Sequence, residues 1–170
     1  LGTGMLWFGW FGFNSGSALG ANQDAILAFM TTNTASAMCM ITWLVMEGIK
    51  GRKIKVIDAC IGAVVGLVII TPAAGFVNLS QSMFMGAFGG IICNLFLSFF
   101  KCFDIDDSLD VFACHGMGGI IGLLFTGIFA KDVGLFYGET TTFFNHIYKL
   151  SAPDMISINS LVIEACLLLL

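Results

Sequence analysis

Two stretches of this sequence hold side chains whose type and spacing could do chemistry. The first is DDSLDVFACHGMGGIIGLLFTGIFA, Asp106 to Ala130, in which residues 111–130 carry one titratable nitrogen base, His115, and no acidic or basic side chain beside it. Imidazole titrates near neutrality, so it can accept, donate or relay a proton. An ionisable group inside so long an apolar run is a functional-site hypothesis by default. The competing reading is a neutral histidine hydrogen-bonded to a neighbouring helix. The second stretch is GTGMLWFGWFGFNSGSAL, in which Trp7, Trp10, Phe13, Asn14 and Ser17 fall within roughly one helical face. Positions 10, 13 and 17 stand at i, i+3 and i+7. Aromatic belts belong at membrane interfaces. This stripe runs through an apolar segment beside a hydroxyl and an amide, which favours a lined path over a belt.

The elements that must position these groups are membrane spans. Of the 170 residues, 58% are hydrophobic and 11% are charged, against about 25% charged in a soluble domain. That excludes an ordinary soluble fold and predicts an all-α, polytopic transmembrane helical bundle, with about 20 residues per crossing of a ~30 Å hydrocarbon layer. Residues 2–20 make the first span and 25–46 the second. A third runs over 57–74, with Pro72 in its last turn. The fourth covers 83–100 and the fifth 111–130. A sixth begins near Ile156 and is cut off. The chain lacks a starting Met and stops within Leu167–Leu170, so a fragment of a longer polypeptide is expected.

Small residues mark the faces where spans approach one another. Gly62 and Gly66, Gly86 and Gly90, and Gly118 and Gly122 each form a GxxxG pair. At α-helical spacing His115 shares a stripe with Val111, Gly119, Gly122 and Thr126, which turns it toward the bundle. Lys50, Arg52, Lys53 and Lys55 are four of seven basic residues. Such a cluster could suit nucleic acid or anionic lipid, but between two spans the positive-inside rule explains it better and places loop 48–55 in the cytoplasm. Asp106, Asp107 or Ser108 is expected to cap the fifth helix, with Asp110 in its first turn. Residues 131–154 form a long outer loop, with Phe136, Tyr137, Phe143, Phe144, Tyr148 and His146 as interfacial residues. The six cysteines, Cys39, Cys60, Cys93, Cys102, Cys114 and Cys166, include no CxxC and read as small buried hydrophobes. The sequence holds no Walker loop, HExxH or GxSxG elbow, so no cofactor, metal or enzyme chemistry is expected.

From outside inward the topology orders a hydroxyl at Ser17, an aromatic constriction at Phe13, the Trp10 ring, and then the imidazole of His115. No fixed negative charge belongs to this set. A bare ion crossing it would lose hydration at a cost of order tens of kcal/mol in the Born limit, and a cation–π contact returns only ~2 kcal/mol. A solute able to shed a proton escapes that penalty, and ammonium is the small cation that fits.

WFGWFGFNSGSAL, GLVIITPAAGFV (Gly66 to Val77) and DDSLDVFACHGMGGIIGLLFTGIFA together strongly resemble the ammonium transporter family, the ammonium/methylammonium permeases related to Rhesus proteins. The resemblance spans nearly the whole chain. It implies a single ammonium transporter domain over 1–170 without its first half and C-terminal tail: spans six to ten, and the start of eleven, of an eleven-span fold built from two inverted repeats. It further implies that His115 is the second member of a pore histidine pair, Phe13 a gate phenylalanine, Ser17 the hydroxyl of the outer ammonium site and Trp10 a pore-lining ring. Asp110 is then a structural acid at the start of the histidine helix, with Asn14 structural beside the pore. A homotrimer in the plasma membrane, without nucleic acid as a partner, is the implied assembly. Three alternatives stand beside the transporter: an ammonium sensor, a Rhesus-type ammonia channel, and a membrane metalloenzyme using Asp110, Cys114 and His115. The last is weakened because adjacent residues lie about 100° apart on a helix.

Overall fold

The computed structural model describes residues 1–100 and 110–131. All regular structure among them is helical: α1 (Gly2–Gly16), α2 (Gln23–Ile49), α3 (Val56–Ile70, continued by a 3-10 turn Thr71–Ala73), α4 (Leu79–Phe100) and α5 (Phe112–Phe129). By length and composition, α2, α3 with its 3-10 turn, α4 and α5 can each cross a membrane. The expected first span is shorter than read, because α1 ends at Gly16 and Leu19 takes a left-handed conformation, φ 52°. The expected sixth span, the caps at 106–108, the loop aromatics with His146, Cys102 and Cys166 lie outside the described residues.

Local signals set the helix ends. The Asn22 side chain caps α2 by accepting the Ala25 backbone N–H at 2.9 Å, and Asp24 adds negative charge to its first turn. At α4 the Gln81 side chain reaches back to accept the Asn78 N–H at 2.7 Å. Pro72 sits in the 3-10 turn that finishes α3, where a missing backbone donor is tolerated. Gly75, at φ 86°, then reverses the chain toward α4.

Helix α2 is the hub. Its Ala35 and Cys39, one turn apart, each meet both α3 and α4. A methyl group built on Gly66 would stand 2.7 Å from both Cys39 Cβ and Ser36 Cα. One on Gly90 would stand 2.9 Å from Cys39 Sγ, and one on Gly86 would run into the Ala35 carbonyl. Gly66 and Gly86, one from each of two expected glycine pairs, therefore bring α3 and α4 to backbone contact with α2. Ser36 Oγ adds a buried bond across the seam, donating to Ala63 O at 2.8 Å. Cys39, Cys93 and Cys114 are buried as free thiols in one core with Trp43, Val65, Ile69 and Met85.

Burial is distributed as a bilayer solvent demands. Asn14, Thr31, Thr32, Ser36, Glu47, Ser82 and Asn94 are buried, whereas Phe8, Ile26, Val45, Phe84 and Leu124 are exposed. Apolar surface gains nothing by hiding from lipid tails, while polar groups must find partners inside. The largest polar cluster joins the end of α2 to α4. Asn94 Nδ2 donates to Glu47 Oε1 at 3.0 Å, and Arg52 donates to Glu47 Oε2 at 3.2 Å. Lys50 Nζ reaches across to Asn94 Oδ1 and to Ser98 Oγ at 2.6 Å. The basic loop thus carries a structural joint in addition to its charge bias.

Gly86→Ala should destabilise the protein. The helix propensity gained is about 1 kcal/mol, and forcing a methyl into the Ala35 backbone costs about 1–3 kcal/mol. Gly118→Ala meets a Val68 methyl at 3.2 Å and touches Ile69 at an ordinary 3.7 Å, so it should change stability less. Thermal unfolding of both variants in detergent checks the ranking.

Candidate functional site

The aromatic stripe of α1 divides into residues that dock the helix and residues left open. Asn14 is the single buried residue of α1. Its Nδ2 donates to Thr32 Oγ1 at 2.9 Å, and Thr32 spends its own proton on Ala28 O at 2.6 Å. Trp10 Nε1 donates to Thr71 Oγ1 at 2.8 Å, and Thr71 donates onward to Leu67 O at 2.7 Å. In both cases the threonine proton is committed to its own helix, so only an acceptor lone pair faces α1. These bonds fix α1 against α2 and against the last turn of α3. Trp7 also turns inward, and its indole nitrogen has no partner among the described residues.

Phe13 stands beside Trp10, ring centroids 5.9 Å apart and planes at 68°. It remains 53% exposed. Ser17 lies just past the end of α1 and donates to Phe13 O at 2.8 Å. With its proton used within the chain, the hydroxyl presents acceptor lone pairs outward. The order along α1 is therefore an acceptor at the open end, then an edge-to-face ring pair, then an indole locked by Thr71.

His115 lies on α5, within a π turn over Phe112–Gly116. The α-helical stripe expected from Val111 through His115 needs correction. A π turn inserts an extra residue, so the register of Val111 relative to His115 shifts, and the stripe runs only from His115 upward through Gly119 and Gly122. The ring is half-buried while Cys114 and Gly116 on either side are buried. Asp110 stands immediately before the helix, outside its first turn, at φ 54°, with its carbonyl accepting the Cys114 N–H at 3.0 Å. Aspartate is among the few residues that tolerate this left-handed geometry, and it marks where α5 starts.

Helix α3 is the wall that relates the two stretches. A methyl on Gly122 would collide with Ile69 O and stand 3.0 Å from Pro72 Cγ, so the Gly118/Gly122 pair seats α5 on the same last turn of α3 that holds Trp10. His115 then lies about two turns, ~10 Å, further down α5. Among the described residues, no hydrogen bond or ring contact joins His115 to Trp10, Phe13 or Ser17. Trp10 and Gly122 both reach the end of α3, and His115 lies further down α5 without touching the α1 residues. Asp110, Cys114 and His115 do not gather as metal ligands, and no cluster of three His, Cys, Asp or Glu able to hold a metal occurs among the described residues.

Thr71 and Thr32 were not singled out from the sequence. The one available signal for Thr71 was its place in GLVIITPAAGFV, ahead of Pro72; Thr32 carried none. Thr71→Val should leave the Trp10 indole N–H without its acceptor and lower stability by about 1–3 kcal/mol, whereas Thr71→Ser should retain most of it. Unfolding midpoints of the pair decide whether the hydroxyl, rather than the methyl, secures Trp10.

The model of the Ammonium Transporter Family matches residues 1–169. A putative ammonium transporter of Methanothermobacter thermautotrophicus is 50% identical over 131 residues, covering 76% of this chain and 32% of that protein. The ammonium transporter of Bacillus subtilis is 44% identical over 161 residues, covering 89% of this chain and 40% of that protein. The crystal structure of Saccharomyces cerevisiae Mep2 superposes with a TM-score of 0.75 at 38% identity, covering 99% of this chain and 37% of that one. A sensor Amt protein superposes with a TM-score of 0.77 at 30% identity, covering 99% of this chain and 39% of that one. The chain thus spans about a third to two-fifths of the length of these relatives. With the family model matching all but its last residue, and a membrane-spanning helical bundle that superposes on Mep2, the chain belongs to the ammonium transporter family.

Proposed function

We propose that this chain is part of an ammonium transporter or channel subunit. Ser17 accepts a hydrogen bond from ammonium at the outer mouth, Phe13 gates the entrance, and ammonia passes Trp10 to reach His115. The observation that carries the reading is the sequence of depths along α3: an outward acceptor, an edge-to-face ring pair anchored by Thr71 at 2.8 Å, and an imidazole about 10 Å beyond. Relatives described as ammonium transporters support the substrate.

The energetics favour a proton-shedding solute. An ammonium ion meeting Ser17 and the Phe13 ring keeps part of its water, and a hydrogen bond to a charged group contributes about 1.5–3 kcal/mol. Beyond Phe13 the described residues assigned to the path offer aromatic edges, an indole whose proton is already committed, and no carboxylate. Carrying full charge there costs far more than these contacts return. The neutral amine crosses more easily, and the His115 imidazole can take or return its proton. In this reading 1–170 is the second inverted repeat of a single transporter domain. Loop 48–55 faces the cytoplasm of a plasma-membrane protein assembled as a homotrimer, and methylammonium serves as a substrate analogue.

A second reading is an ammonium sensor using the same path for recognition. The superposition on a sensor Amt protein favours it. A signalling domain attached to the full-length polypeptide would decide for the sensor.

Methylammonium uptake by cells expressing the full-length protein tests the path. Ser17→Ala should raise the half-saturating concentration by about tenfold, the equivalent of ~1.4 kcal/mol. His115→Ala should lower maximal uptake by about tenfold or more. Uptake that stays at the wild-type level in both His115→Ala and Phe13→Ala overturns the assignment.

A further inference from the structure

We propose that Phe112 is a positioning residue for His115: clamped by Phe96 and Phe100 of α4, it keeps the π turn wound and so fixes the direction of the imidazole. The inference rests on the proposed place of His115 in the path and adds to it the group that aims the ring. The Phe112 carbonyl accepts the Met117 N–H, a bond that spans five residues. An α-helix would close the same bond over four. The turn therefore holds one residue more than an α-helical course between its ends.

Two anchors on different helices hold those ends. Above the turn, Gly118 and Gly122 seat α5 on α3, where a methyl on Gly122 would collide with Ile69 O and one on Gly118 would stand 3.2 Å from a Val68 methyl. Below it, the Phe112 ring stacks on Phe100, centroids 5.3 Å apart and planes at 28°, and meets Phe96 at 6.3 Å. Phe96 and Phe100 lie 5.4 Å apart, four positions apart on one face of α4. Asn94 and Ser98 each precede one of these rings by two positions, about 200° around the helix. Lys50 ties both of them to α2. The lower anchor is therefore fastened to the α2–α4 frame of the bundle.

His115 lies between the two anchors. Relaxing the turn to α geometry removes the extra residue and rotates one anchor against the other by about 100°. While the glycines stay on α3 and the Phe112 ring stays on α4, that rotation is blocked. Losing the ring frees only the lower end, and the commoner α bonding then becomes open to the chain. The imidazole would turn with the backbone that carries it, while α5 keeps its seat on α3.

The test uses the full-length protein with isotope-labelled histidine rings, read by NMR in detergent; the His115 signals are those lost in His115→Asn. Phe112→Ala should shift the His115 ring signals and lower maximal methylammonium uptake by about tenfold, the scale of a misplaced reacting group. The half-saturating concentration, assigned to Ser17, should stay within about twofold. Phe112→Tyr keeps the ring, and at 44% exposure its hydroxyl has room, so it should restore both readouts. Phe100→Ala removes the stacked partner without altering α5 and should reproduce the shift, which keeps the test decisive even where Phe112→Ala fails to fold. Phe88→Ala removes a ring contact with Phe125 higher on α5; it should lower the unfolding midpoint and leave the His115 signals in place. Unshifted His115 signals in Phe112→Ala and Phe100→Ala overturn the clamp, whatever the uptake. Shifted signals with wild-type uptake uphold the clamp and overturn instead the place of His115 in the path.

Discussion

Inside a bilayer the hydrophobic effect does not hold helices together, because lipid tails are as apolar as leucine. Close backbone approach and internally paired polar groups must do so instead. The seam at Ala35 and Cys39 meets the first demand. Gly66 and Gly86 both approach the Ala35 carbonyl of α2, where an added methyl would run into backbone, and Gly90 meets α2 at the Cys39 thiol. The Ser36–Ala63 bond and the Glu47–Asn94–Lys50–Ser98 cluster meet the second. With α2, α3 and α4 locked this way, the last turn of α3 becomes a rigid surface.

That surface organises the candidate path. Helix α1 has one buried side chain, Asn14, and meets α2 through the Phe11–Phe29 ring pair, centroids 4.2 Å apart. Two directional hydrogen bonds, to Thr32 and to Thr71, add to that contact in setting its rotation. Rotation matters because Trp10 and Phe13 share an edge-to-face contact, so fixing the indole also steers the phenyl ring. Helix α5 reaches the same turn of α3 by a different means, steric fit of Gly122 against Ile69 and Pro72. Polar anchoring of α1 at Thr71 and close packing of Gly122 on Ile69 and Pro72 thus meet at the end of α3.

The π turn at Phe112–Gly116 gives His115 a setting that a regular helix would not supply. Such turns recur at functional positions because they re-aim a side chain without breaking the helix. Here the turn lies directly above Asp110, whose left-handed backbone starts the helix, so the imidazole is placed by a local irregularity as well as by the packing above it.

The sequence alone carried the class of the molecule and its contact faces. Long uncharged runs require spans, and glycines four apart in such runs require close neighbours, whichever helices those prove to be. His115 and the Trp10–Phe13–Ser17 stripe were legible for the same reason: an unusual side chain in an apolar run is visible residue by residue. Partnerships were not legible. Thr71 binds Trp10 across 61 positions, and Lys50 reaches Ser98 across 48. Nothing local distinguishes these residues from other threonines, lysines and serines of the chain. The end of α1 at Gly16, the π turn under His115 and the separation of Trp10 from Phe13 into docked and open residues were likewise decided by tertiary structure. Periodicity reports what one helix offers its surroundings; which offered group is taken up depends on the helix that arrives opposite it, and on the requirement that every polar atom within the bilayer find a partner there.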